Sequence, residues 1–146
     1  ATWRHVLCCS QDYLERLGRV QQLAELAEHN CIRHMNYPYQ DEWRFKDRRG
    51  EAASVRISGN FITNSGEALR EAVLRGTGIC LAPGFMVHDD LEAGRLVRLL
   101  PEYRPVELSM NVVYPHRHHL SAKVRTFIDM LVQHSAEQQK RINPYS

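Results

Sequence analysis

The chain has 146 residues, 43% hydrophobic and 25% charged, and 19 Lys and Arg against 17 Asp and Glu leave a formal net charge of +2. That is enough for one domain with a real core and too little for two ordinary ones. The charge is too small to mark a nucleic-acid surface, and no run approaches the ~18 apolar residues of a membrane span. No signal peptide is visible, so a cytoplasmic protein without membrane association is expected. Cys8, Cys9, Cys31 and Cys80 form no CxxC pair, which fits reduced, mostly buried thiols.

Along the chain, Trp3–Ser10 reads as a buried strand, and Ser10 stands where it can cap a two-turn helix closed by Gly18. Leu23, Leu26 and Ala27 recur at helical spacing and predict a second short helix. A weak strand follows Cys31, and a hairpin is expected around Gly50, with Val55 and Ile57 alternating against Arg56 and Ser58. From Asn64 to Arg75, Ala68, Leu69, Ala72 and Val73 make one apolar stripe of a helix. Gly76 and Gly78 then turn the chain into Gly78–Pro83, a continuous apolar run expected to be a central strand.

A short helix near Phe85–Glu92 should stop at Gly94, and Arg95–Leu100 reads as an outer strand. Val106, Leu108, Met110 and Val112 alternate as in a strand buried on one face. The final helix, capped by Ser121, carries Val124, Phe127, Ile128, Leu131 and Val132 on one side; from Ser135 onward the chain is polar and is expected to fray.

The corner Thr63-Asn64-Ser65 has two readings. Either Asn64 or Ser65 caps the helix, with Asn64 and Glu67 spaced as a capping box. Alternatively, the same groups, set at a helix start beside a strand end, hold a small carboxylate or polar metabolite. Glu67 in the first turn opposes an anion, so pattern alone leaves the choice open.

Other chemistry is thinly supported. His116, His118 and His119 lie close in sequence, but a polar loop usually leaves such side chains solvated, so no metal is expected. Cys8 with His5 could imitate a thiol and its base, yet Cys8 sits in an apolar run. No P-loop, GxGxxG, GxSxG or HExxH occurs, and neither catalysis nor a cofactor is expected.

Four segments stand in order along the chain: the Ser-x-x-Tyr-Leu start at Ser10, the helix of Asn64-Ser65-Gly66-Glu67-Ala68-Leu69, Gly76-Thr77-Gly78-Ile79 with Pro83 after it, and Tyr114-Pro115 followed by Leu120-Ser121-x-Lys123-Val124-Arg125-x-Phe127. Together they resemble the effector-binding region of LysR-type transcriptional regulators. The resemblance runs from about Val6 to Leu131.

The resemblance implies an α/β, type II periplasmic-binding-protein-like fold with a mixed sheet flanked by helices and a C-terminal helix. Residues 1–134 would be a partial effector-binding domain: about 6–110 the second subdomain, 111–134 a hinge strand and the C-terminal helix, and 135–146 a polar tail. His5–Ser10 and Met110–Pro115 would be the hinge strands. Thr63, Asn64 and Ser65 match the corner that contacts the effector in this family, and Phe61, Pro83 and Phe85 would line the same side.

A small-molecule effector is then the expected partner, with DNA contacted only through a helix-turn-helix domain absent from this chain. Most of the first subdomain is absent too, so the apolar side of the last helix would lose its usual cover. Five such residues are expected to be buried on the chain's own sheet or in a homo-oligomer. A solute-binding protein of the same fold and a small α/β enzyme are the alternatives.

Overall fold

The structure is a computed structural model that describes residues 2–109, 111–114 and 121–142. The strands are β1 (Thr2–Trp3), β2 (His5–Ser10), β3 (Cys31–His34), β4 (Glu42–Lys46), β5 (Ala52–Arg56), β6 (Ile62–Thr63), β7 (Ile79–Pro83), β8 (Leu96–Arg98), β9 (Arg104–Pro105) and β10 (Leu108–Ser109). The helices are α1 (Gln11–Leu17), α2 (Gly66–Leu74), α3 (Gly84–Glu92) and α4 (Ala122–Ile142), with a 3-10 helix at Leu23–Glu28. Arg4–Val106 form one compact unit, and the described residues on either side of it belong to a second.

The first unit is built on a five-stranded sheet of order β6-β3-β7-β2-β8. β3 runs parallel to β6 and β7, whereas β2 enters antiparallel between β7 and β8. β7 is the central strand, and its first four residues are buried, as its unbroken apolar run predicts. α2 packs across β3, β7 and β2 and buries Leu69 and Val73. Each such side chain contributes roughly 1.5–3 kcal/mol when removed from water.

The expected hairpin forms between β4 and β5, with Gly50 at φ 81°, and β9 joins β4 to complete a three-stranded sheet. Trp43, Phe45 and Val55 point inward while Arg44, Lys46 and Ser54 face solvent. Ser10 caps α1 by accepting from the Tyr13 N–H at 3.2 Å, and Gly18, at φ 86°, closes it through its N–H to the Leu14 carbonyl. Gly76 turns at φ 71°, and Gly78 is excluded from bearing a side chain because a Cβ would strike the Asn30 carbonyl.

Several expectations from pattern are corrected. The long N-terminal strand divides at Arg4, because Thr2–Trp3 pair with β10 and His5–Ser10 with β7 and β8. The expected second short helix does form, at Leu23–Glu28, as a 3-10 helix that buries Leu23 and Leu26. Of Arg95–Leu100 only Leu96–Arg98 remain a strand; Leu99 donates to the Leu7 carbonyl and Leu100 turns at φ 45°, both still buried. The alternation from Val106 to Val112 does not become one continuous strand: the Val106 N–H donates to the Arg44 carbonyl of β4, and Leu108–Ser109 pair with β1. Among the described residues of this segment only Leu108–Ser109 form a ladder, Val113 is 91% exposed, and Met110 lies outside the described residues.

In the second unit α4 runs to Ile142, past the expected fraying point, because the polar stretch after Ser135 is rich in Ala, Glu, Gln and Lys. Gln133 donates to Glu137 one turn on, at 3.3 Å. The apolar stripe expected to be covered is only partly so: Phe127 and Val132 are about three-fifths exposed, at 60% and 62%, and Val124 is exposed as well, while Ile128 and Leu131 are half-buried.

α2 and α3 are joined by an ion pair. Asp90, with 1% of its side chain exposed, accepts from Arg70 Nε at 2.6 Å and Nη2 at 2.8 Å, and from Arg95 Nε at 2.8 Å. Burial pushes the Asp90 carboxyl up, but the two guanidinium forks outweigh it and hold it below its usual value. Asp90→Asn should therefore cost about 1–3 kcal/mol in urea unfolding near pH 7, tempered because both arginines reach water. A depressed folded value means this stabilisation is full above the unfolded pKa of about 3.9 and fades as pH falls through the folded value. The gap between wild type and variant should shrink below about pH 4.

Candidate functional site

Because β3, β6 and β7 are parallel, their carboxyl ends share one edge of the sheet, and both α2 and α3 start there. A Cβ on Gly66 would meet the Met86 thioether, so the two helix starts lie side by side. Ser65, not Asn64, caps α2: its hydroxyl accepts from the Ala68 N–H at 3.2 Å and its carbonyl from the Leu69 N–H at 3.0 Å. Thr63 Oγ1 accepts from the Ser65 N–H at 3.0 Å, which fixes the corner, and Asn64 is exposed.

The first-turn N–H groups of Gly66 and Glu67 find no partner within an α-helix and point out of its positive end. Glu67 is exposed in that same turn and weakens the attraction for an anion. The edge thus favours a polar or singly charged group over a strongly anionic one.

At the second corner, Pro83 pairs with His5 across β7 and β2, and the Gly84 N–H donates to the Arg4 carbonyl at 2.8 Å. Phe85 follows in the first turn of α3, 49% exposed. Met35, 62% exposed, continues β3 and donates its N–H to the Thr63 carbonyl, while Ile62 is 49% exposed. Phe61 lies apart from these. It sits half-buried two residues back from Thr63 toward the amino end of β6, its carbonyl accepting from Arg33 N–H.

Sequence pattern did not single out Met35 or His34, because only the parallel register with β6 brings them beside Thr63. His5, weighed there only as a base for Cys8, faces Tyr37 edge-on at 6.1 Å between centroids. Its Nδ1 is buried and has no hydrogen-bond partner among the described residues. Burial, and then the nearby His34, lower its pKa to about 4. His5 is therefore neutral at pH 7.

The opposite, amino end of the sheet is closed on itself. Asn30 Nδ2 donates to Asn60 Oδ1 at 2.9 Å and to the Thr77 carbonyl at 2.8 Å, and Asn60 N–H returns to Asn30 Oδ1. Those groups are spent on each other, whereas the carboxyl edge carries the two helix starts and the exposed apolar side chains of Met35, Ile62 and Phe85.

His5 and Cys8, three residues apart on one strand, point to opposite faces, and Cys8 faces Cys80. Among the described residues no three His, Cys, Asp or Glu gather as a metal-binding group. His116, His118 and His119 lie outside the described residues. No helix among the described residues is long and apolar enough to cross a membrane.

The family model described as the LysR substrate binding domain matches residues 1–136. The chain belongs to the LysR substrate-binding domain family. It is 31% identical over 140 residues to the HTH-type transcriptional regulator PtxR of Pseudomonas aeruginosa, covering 96% of this chain and 45% of that protein. Its structure is similar to that of AphB, a virulence activator of Vibrio cholerae and a member of the LTTR protein family, with a TM-score of 0.78 at 28% identity. That match covers 92% of this chain and 46% of AphB. The regulatory domain of CrgA, a LysR-type transcriptional regulator from Neisseria meningitidis, matches with a TM-score of 0.71 at 30% identity, over 91% of this chain and 65% of that one.

This LysR-family chain thus spans less than half the length of PtxR and AphB. The α/β, periplasmic-binding-protein-like architecture implied by the resemblance is the one shared with these regulatory domains.

The lowered His5 value carries a pH signature. Between about pH 6.5 and about pH 4 the unfolded chain binds a proton that the folded chain refuses, so stability rises with pH across that window and is flat below it. Urea unfolding of wild type should lose about 2–4 kcal/mol from pH 7 to pH 4 on this account. His5→Phe, which keeps a ring against Tyr37, should remove most of that loss.

Proposed function

We propose that the chain is the effector-sensing part of a cytoplasmic LysR-type transcriptional regulator. It binds a small metabolite and biases DNA binding carried out by a helix-turn-helix domain elsewhere in the longer protein. The observation that carries this reading is the meeting of two helix starts, α2 and α3, on the carboxyl edge of the parallel strands, next to exposed Met35, Ile62 and Phe85.

Thr63, Asn64 and Ser65 supply the polar corner, Pro83 and Phe85 the neighbouring wall, and Phe61 the support behind Thr63. Residues outside this chain complete the pocket. Sensing needs no catalytic residue: an effector shifts a regulator by binding one arrangement more tightly than another, and equal affinity would shift nothing. The partly open stripe of α4 supports a partner surface in the assembled protein, where the regulator works as a homo-oligomer.

The test is a thermal-shift screen of small carboxylates and aromatic acids on the full-length polypeptide that contains these residues. Thr63→Ala/Ser65→Ala should weaken the best compound roughly tenfold or more, the effect of losing two polar contacts. Unchanged affinity in a folded double variant would make the corner structural only.

A further inference from the structure

β2 and β7 bring two thiols face to face. Cys8 and Cys80 are direct partners in the antiparallel register, flanked by the Leu7–Leu81 pair. Their sulfurs stand 3.7 Å apart, both side chains are fully buried, and both thiols are free. Directly opposed antiparallel residues have Cα atoms roughly 4.5–5.5 Å apart, inside the roughly 4.4–6.8 Å that a disulfide spans. The sulfurs need only swing toward each other; the backbone is already in place.

The other two cysteines are not so placed. Cys9 lies opposite Val97 on β8, and Cys31 lies beside Ile79 with its thiol donating to the Leu26 carbonyl at 3.5 Å. Side chains alternate along β2, so Cys9 points to the other face of the sheet from Cys8. Burial pushes the Cys9 and Cys31 thiols up to about 12, which keeps both protonated.

We propose that Cys8 and Cys80 are a redox pair that hydrogen peroxide converts to a cross-strand disulfide, fastening β2 to β7. One sulfur, as its thiolate, attacks a peroxide oxygen; the O–O bond breaks, hydroxide leaves and takes up a proton as water, and a sulfenic acid remains. The second thiol then attacks that sulfur, the S–S bond forms, and the hydroxyl departs with the thiol proton as a second water. Two electrons pass from the pair to one peroxide. The inference rests on the thiol geometry and is independent of the effector reading.

The bond would lie three residues from the His5–Pro83 pair, on the two strands that meet at the candidate edge. The contact with Cys8 and then burial hold the Cys80 thiol well above its usual value. Oxidation is accordingly slow at neutral pH and faster in alkali, where more thiolate forms.

The experiment exposes the reduced full chain to hydrogen peroxide at about pH 7 and about pH 8.5, blocks remaining thiols with N-ethylmaleimide in denaturant, and maps peptides without reductant. A Cys8–Cys80 linkage is expected, reversible by dithiothreitol, forming faster at the higher pH and persisting in Cys9→Ala and Cys31→Ala. The proposal is overturned if Cys8 and Cys80 both remain alkylatable after a dose that fully oxidises free N-acetylcysteine. It is also overturned if the linkage instead involves Cys9 or Cys31, or joins two chains.

Discussion

The insertion of β2 between β7 and β8, antiparallel to both, is the constraint on which the first unit depends. It satisfies the backbone of β7 on its second side and buries Leu7, Cys8 and Cys9 in the core. It also carries the Arg4 carbonyl to the Gly84 N–H, so the start of α3 is held by the strand that enters the sheet. Without that strand the corner at Pro83 would lose its pairing with His5.

Polarity of the parallel strands does the rest. β3, β6 and β7 point the same way, which gathers the corners that follow them at one edge and leaves the Asn30–Asn60–Thr77 network to close the other. A ligand proposed for the open edge would meet helix N–H groups, hydroxyls and apolar side chains together. The fork of Asp90 on Arg70 and Arg95 fixes α2 against α3, and with it the spacing of the two corners. The redox pair proposed above belongs to the same scaffold, since Cys8 and Cys80 lie within the strands that deliver His5 and Pro83.

Much of the fold was legible because its signals are local. Ser10 and Gly18 bracket α1, Gly50 turns the hairpin, and the unbroken apolar run from Ile79 to Ala82 marks the central strand. What failed depended on partners that pattern does not name. Val106 to Val112 alternate well, yet a strand needs a neighbour, and among the described residues of this run only Leu108–Ser109 form a ladder. The helical spacing of Leu23 and Leu26 did give the short buried helix, which winds as a 3-10 helix. The polar end of α4 reads as fraying by hydrophobic periodicity and as helix by propensity, and propensity won. Within the candidate site, Asn64 and Ser65 were both visible as caps, and Ser65 does the capping. Met35 and His34 emerge only from register, and the buried Nδ1 of His5 only from packing.

The central claim is that a small effector settles on the carboxyl edge of the parallel strands. Backbone hydrogen exchange tests it most directly, on the full-length polypeptide that contains these residues, with and without the compound giving the largest thermal shift. The account predicts slowed exchange at Met35, from Ser65 to Ala68, and from Gly84 to Met86, with the Asn30, Asn60 and Thr77 corner unchanged. Protection at that amino-end corner, with none at the α2 and α3 starts, would contradict it.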